Sequence, residues 1–136
     1  MRVGQLAGII VMDMERRFYL LDPKTKTTHP CRDTSKWQEW MRENVATRIV
    51  ADSKLRGQSG PVYVTTMFLG LDQRENEKAE QLLFETRVIN SRLDGMTRLC
   101  STWVQAECQH EEVLDLLLRE GLVKIQTSVK LRLKKT

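Results

Sequence analysis

Two short runs in this chain set metal-type donors close together: His29-Pro30-Cys31 and Cys108-Gln109-His110. Imidazole and thiolate are zinc ligands, but zinc sites draw ligand pairs at wider, characteristic spacing. On a helix, residues two apart point to nearly opposite sides, so Cys108 and His110 cannot hold one ion. No metal site is expected from either run. His110 falls between Ala106 and Val113 on an apolar helical stripe, which predicts a buried histidine whose hydrogen-bond partner fixes helix to sheet. The competing role, a general acid or base at the helix surface, has no nucleophile or second titratable group tied to it by sequence.

Asp72 at a strand end, with Glu85 and Arg87 on the next strand, has the rough form of a nuclease carboxylate site, in which two acids and a base share one end of a sheet. Arginine is the wrong base for that chemistry. Glu85 and Arg87 are read instead as solvent-facing or cross-strand partners on a half-buried strand. The glycines Gly57 and Gly60 lack a following lysine and helix, and Gly70 sits at a strand end, so no phosphate-cradling loop is present. Trp37, Trp40 and Trp103 lie on helix faces that also carry apolar stripes, which favours core packing over base stacking. No catalytic residue and no cofactor are expected. Should an activity exist, Asp72, Glu85 and His110 are the residues to test.

These residues need a scaffold, and 136 residues with 40% hydrophobic and 29% charged side chains suit one domain with a single core. Cys31, Cys100 and Cys108 are an odd set without framework spacing, which predicts reduced thiols and no disulfide. The longest apolar run near the start, Ala7 to Met12, is too short to span a bilayer, and no cleavable secretory pattern follows it. The expectation is a cytoplasmic protein that does not engage membranes. The net charge of +4 is local: the final thirteen residues hold Lys124, Lys130, Arg132, Lys134 and Lys135 and no acid, leaving 17 basic against 18 acidic residues elsewhere. Such a stripe binds nucleic acid or an acidic surface, or keeps an edge strand soluble.

Along the chain, Gly8 to Met12 and Phe18 to Leu21 flank the charged turn Asp13 to Arg17 and predict a β-hairpin. Thr27 to Cys31 adds a short extended piece that Pro30 keeps at an edge. Ser35 and Gln38 form a capping box for a first helix that carries Trp37, Trp40 and Met41 on a face expected to be buried. A short strand around Arg48 to Ala51 and a break at Arg56 to Pro61 follow. Val62 to Leu69 is apolar on both faces and predicts a central strand. Leu82, Phe84, Thr86 and Val88 line one face of the next strand, and a turn at Asp94 and Gly95 leads to Thr97 to Cys100. Thr102 and Gln105 cap a second helix, with Trp103, Ala106, His110, Val113, Leu114 and Leu117 on one stripe, ended by Gly121. From Val123 the alternation predicts a last strand with a cationic outer face. The arrangement that gives every apolar face a partner is an α+β domain over 1–136: a mostly antiparallel sheet of about five or six strands with two helices on one face and a basic C-terminal strand at 123–136.

Several blocks form a recognisable pattern: YLLD at Tyr19 to Asp22, WxxWM at Trp37 to Met41, VTTMFLGLD at Val64 to Asp72, LLFETRV at Leu82 to Val88, and STWVQAECQH at Ser101 to His110. Together they resemble a widespread family of small bacteriophage and prophage proteins with a V-S-T-V-x-L-G-L-D, L-F-E-T and T-W-x-E-A-x-x-G-H pattern, over roughly residues 18 to 114. Arg87 departs from that pattern where an apolar residue is usual, and Gln105 and Gln109 replace an expected acid and glycine. The N-terminal extension and the strand after Gly121 are additions to it.

The resemblance, with no catalytic set in view, implies a non-enzymatic phage or prophage accessory protein in the bacterial host's cytoplasm. It is expected to bind a host or phage protein in a regulatory or anti-defence role, as a monomer or as a homodimer through the final strand. The alternative is nucleic-acid binding through Lys124, Lys130, Arg132, Lys134 and Lys135, whose alternate spacing on a strand suits a phosphate backbone. A metal-dependent nuclease is the third reading.

Overall fold

Valines and threonines from Val62 onward build the middle of the fold, because branched side chains fill a pleated surface well. The computed structural model describes residues 17–89 and 96–124. Within them, strand β3 (Ile49–Gly57) turns through Gln58 and Ser59 into β4 (Gly60–Phe68), with Gly57 opposite Gly60. Gly60 takes φ of +122°, a conformation side chains rarely adopt, which suits glycine to this two-residue turn. Strands β5 (Phe84–Ile89) and β6 (Thr97–Cys100) continue the antiparallel meander, and β7 (Val123–Lys124) pairs with the other side of β3. The sheet order is β6-β5-β4-β3-β7, so β4 is central, as its two-faced apolar pattern requires.

Helix α2 (Trp103–Arg119) covers one face of this sheet. Thr102 accepts from the amide of Gln105 while Gln105 accepts back from Thr102, the reciprocal cap expected from the sequence. Gly121, at φ +69°, lies just past its end. Its buried stripe holds Trp103, Ala106, Gln109, His110, Val113, Leu114 and Leu117. Beneath it the apolar core is in two parts. Leu55, Val62, Val64, Val88, Val113, Leu114, Leu117 and Val123 form one, and Tyr19, Leu21, Val50, Phe68, Leu83, Phe84, Trp103 and Ala106 the other.

The second part is closed by a small annex. Strands β1 (Tyr19–Leu21) and β2 (Thr28–Pro30) form a separate antiparallel pair, and helix α1 (Thr34–Glu43) lies against β1. Trp37 stacks on Phe18 with ring centroids 4.3 Å apart and donates from Nε1 to the Gly70 carbonyl. Trp40 meets Phe68 edge-on, Phe68 meets Phe84, and Phe84 meets Trp103, so aromatic contacts run from α1 to α2. The α+β class and the mostly antiparallel sheet are as the sequence predicts.

Three local expectations are corrected. The N-cap of α1 is Asp33, which accepts from the Lys36 amide at 3.1 Å, rather than Ser35. Its tryptophan face is half-buried, packed on the edge of the second core part, and no residue of α1 is fully buried. The strand expected around Arg48 to Ala51 runs for nine residues, Ile49–Gly57. The partner of Tyr19–Leu21 among the described residues is β2; the expected strand at Gly8 to Met12 lies outside them, as do the turn at Asp94 and Gly95 and the C-terminal strand beyond Lys124. No helix among the described residues is long and apolar enough to cross a membrane.

Candidate functional site

The two apolar halves of the core meet at a polar seam. Along β4 the inward residues run Val62, Val64, Thr66, Phe68; along β5 they run Val88, Thr86, Phe84; along β3, Leu55 and then Ser53. Helix α2 sets Gln109 and His110 over these three hydroxyls. His110 is fully buried, with Nε2 at 2.8 Å from Ser53 Oγ and Nδ1 at 2.8 Å from Thr66 Oγ1. Thr66 and Thr86, directly opposite on neighbouring strands, share a hydrogen bond of 2.6 Å. Gln109 donates from Nε2 to Thr86 Oγ1 and to the Arg98 carbonyl, each at 3.0 Å. Both ring nitrogens are thus used, with either tautomer. Burial holds the imidazole neutral, pushing its pKa down from 6.5 to about 4.

A serine hydroxyl at hydrogen-bond distance from an imidazole is the geometry of an activated nucleophile. Here Ser53 is 2% exposed and His110 is fully enclosed, so the pair is sealed beneath α2 and acts between helix and sheet. This matches the buried-histidine reading of His110. Ser53 and Thr66 take no role in the sequence reading, where Thr86 stands only on a strand face and Gln109 only as a departure from the family pattern; the available signal is a hydroxyl at an inward position of each strand, opposite a histidine on the helical stripe.

Asp72 is also structural in its contacts. Its carboxylate is fully buried; Oδ1 accepts from the amides of Arg74 and Leu82, and Oδ2 stands 2.7 Å from Arg74 Nε. Arg17 donates to the Asp72 carbonyl, tying the start of the described chain to this loop. Glu85 points to the opposite face of the sheet, beside Arg87 at 3.2 Å. The structure therefore separates the three residues suggested for a nuclease-like site: Asp72 is enclosed, while Glu85 and Arg87 form their own pair. Cys108 is exposed whereas His110 is buried, and His29 is exposed whereas Cys31 is buried, so neither metal-like run converges. Among the described residues, no group of three His, Cys, Asp or Glu side chains is placed to hold an ion.

Opposite α2 lies the outer face of the five-stranded sheet. Its rows, read across the strands, are Arg56 with Pro61 and Lys124; Lys54 with Tyr63 and Ile89; Asp52 with Thr65, Arg87 and Thr97; and Ile49 with Met67, Glu85 and Leu99. Ile89 and Leu99 are 41% and 37% exposed, and Tyr63 and Met67 are half-buried. One end of the face is cationic and the other largely apolar. Of the five cations proposed for nucleic acid, Lys124 is exposed on this face, and Lys130, Arg132, Lys134 and Lys135 lie outside the described residues. No family model, curated protein or solved structure matches the chain.

Proposed function

We propose that this chain is a non-enzymatic phage or prophage accessory protein that acts by binding a host or phage protein, in a regulatory or anti-defence role. The observation that carries the binding role is the outer sheet face, where Ile89, Leu99, Met67 and Tyr63 offer apolar and aromatic surface opposite the helix-covered side. The groups suited to catalysis, Ser53, His110 and Asp72, are enclosed and engaged in internal bonds. The phage context rests on the blocks VTTMFLGLD, LLFETRV and STWVQAECQH. The test compares immobilised wild type with an Ile89→Glu/Leu99→Glu variant of matched melting temperature in extracts of infected and uninfected bacteria. Wild type is expected to retain a defined protein that the variant loses. Equal retention by both, or reproducible turnover of a substrate by the purified protein, would overturn the proposal.

A second reading, nucleic-acid binding through Lys124, Lys130, Arg132, Lys134 and Lys135, is favoured by one specific observation: Lys124 stands directly opposite Arg56 on the same open face.

A further inference from the structure

Two cations facing each other across a strand pair are a destabilising arrangement unless something anionic lies over them. Arg56 of β3 and Lys124 of β7 are in register, both exposed. Opposed side chains on one face sit about 5 Å apart at Cβ and repel when their charges match. Lys54 follows two residues along β3 on the same face, roughly 7 Å away by strand geometry, and is also exposed. Its ammonium is 5.9 Å from the ring centre of Tyr63, its direct neighbour on β4. The carboxylates of this face, Asp52 and Glu85, stand in rows farther from the β3–β4 turn, and Glu85 is held by Arg87. The chain carries four more cations within eleven residues after Lys124, and no acid among them.

We propose that Lys54, Arg56 and Lys124 bind the phosphate backbone of single-stranded nucleic acid, with a base stacked on the Tyr63 ring. The inference rests on the nucleic-acid reading and gives it a place on the folded domain. A polyanion neutralises three clustered cations at once and releases its condensed counterions, which supplies sequence-independent affinity. A half-buried aromatic ring on an open sheet, flanked by cations, is the platform on which an unpaired base stacks; a duplex keeps its bases inside. The competing explanation is an edge guard, in which the cations keep β7 from pairing with another chain.

The experiment measures fluorescence anisotropy of labelled oligo(dT), oligo(U) and a DNA duplex against the full chain at increasing salt. It compares wild type with a corner variant (Lys54→Gln, Arg56→Gln, Lys124→Gln), Tyr63→Leu, and a tail variant (Lys130→Gln, Arg132→Gln, Lys134→Gln, Lys135→Gln). The expected result is single-strand binding that weakens with salt and falls about tenfold or more in the corner variant, whose log–log salt slope is shallower by about 2. Tyr63→Leu weakens single-strand binding, and the tail variant keeps salt-dependent single-strand binding through the corner. Should the triple variant fail to fold, Arg56→Gln carries the test, since it relieves the repulsion with Lys124 and folds at least as well as wild type. Binding that the corner and Tyr63 variants leave unchanged overturns this site while the nucleic-acid reading stands. A duplex bound as tightly as the single strands, with Tyr63→Leu silent, overturns the single-strand assignment. No binding at low salt overturns both readings, and wild-type binding with new self-association in the corner variant identifies an edge guard instead.

Discussion

The Ser53 hydroxyl lies 2.8 Å from Nε2 of His110 although 57 residues separate them in the chain. The contact joins the edge of the hairpin β3–β4 to the middle of α2, and its other arm, His110 to Thr66 to Thr86, crosses to β5. An apolar core alone is indifferent to small sliding of helix over sheet. A hydroxyl row capped by one imidazole is not, because any slip leaves buried donors and acceptors unpaired at about 1–3 kcal/mol each. The seam therefore specifies register, which also fixes which residues appear on the outer face.

The same burial makes stability depend on pH. The folded imidazole resists protonation down to about pH 4, whereas in the unfolded chain it takes a proton near 6.5. The unfolded state thus binds more protons between these values, so the contribution is complete above pH 6.5 and is lost as pH falls toward 4, about 3 kcal/mol in all. Urea unfolding at pH 7 and near pH 4.5 should show this loss in wild type, and a smaller one in His110→Gln, which lacks the buried imidazole.

Asp72 and Glu85 should part company on mutation. Asp72→Ala strands the partly buried amides of Arg74 and Leu82 and leaves the Arg74 guanidinium without its carboxylate. The expected cost is about 2–4 kcal/mol in denaturant unfolding. Glu85→Ala removes a solvent-side partner of Arg87, and its effect should stay within about 0.5 kcal/mol. Equal, small effects for both would show that the Asp72 knot carries little of the loop's stability.

What the sequence made legible follows from range. The box at Thr102 and Gln105 and the apolar run from Val62 are local signals, and both the helix and the central strand stand where those signals put them. Strand β3 was expected too short because Ser53 interrupts its inward apolar alternation. That serine faces inward for the sake of His110, a partner that only the fold brings near. Thr66 and Thr86 were invisible as a pair for the same reason, with 20 residues and a charged loop between them. At α1, two polar residues compete for the cap, and Asp33 wins because its side chain reaches the Lys36 amide.

Gly70 anchors the annex, its carbonyl accepting from the Tyr19 amide and Trp37 Nε1, and it tolerates no side chain cheaply. Its φ is +73°, and a Cβ there would lie 2.6 Å from Met41 Sδ and 3.2 Å from Trp37 Nε1. Met41 has a flexible tip that can yield, but Trp37 is pinned to the Gly70 carbonyl at 2.9 Å. Gly70→Ala is expected to cost about 1–3 kcal/mol, more than Gly121→Ala, which has positive φ but open space around it. Tryptophan emission should shift to the red in Gly70→Ala as α1 loosens; an unchanged spectrum with unchanged stability would show that α1 docks independently of this contact.

Thr66 links the histidine to β5, bonded to both His110 and Thr86, while Thr86 is bonded in turn to Gln109. Valine nearly preserves the volume of threonine and deletes the hydroxyl, so the two substitutions isolate the polar term. Thr86→Val leaves Thr66 its histidine and Gln109 its Arg98 carbonyl, and should cost about 1 kcal/mol. Thr66→Val orphans one ring nitrogen and leaves the Thr86 hydroxyl with Gln109 alone, and should cost about 2–3 kcal/mol. Each single variant loses the shared Thr66–Thr86 bond and the double variant loses it only once, so its loss should fall short of the sum by about 1 kcal/mol, a coupling readable from denaturation midpoints in a double-mutant cycle. Strict additivity would mean that the 2.6 Å contact contributes nothing, and that the seam acts through His110 alone.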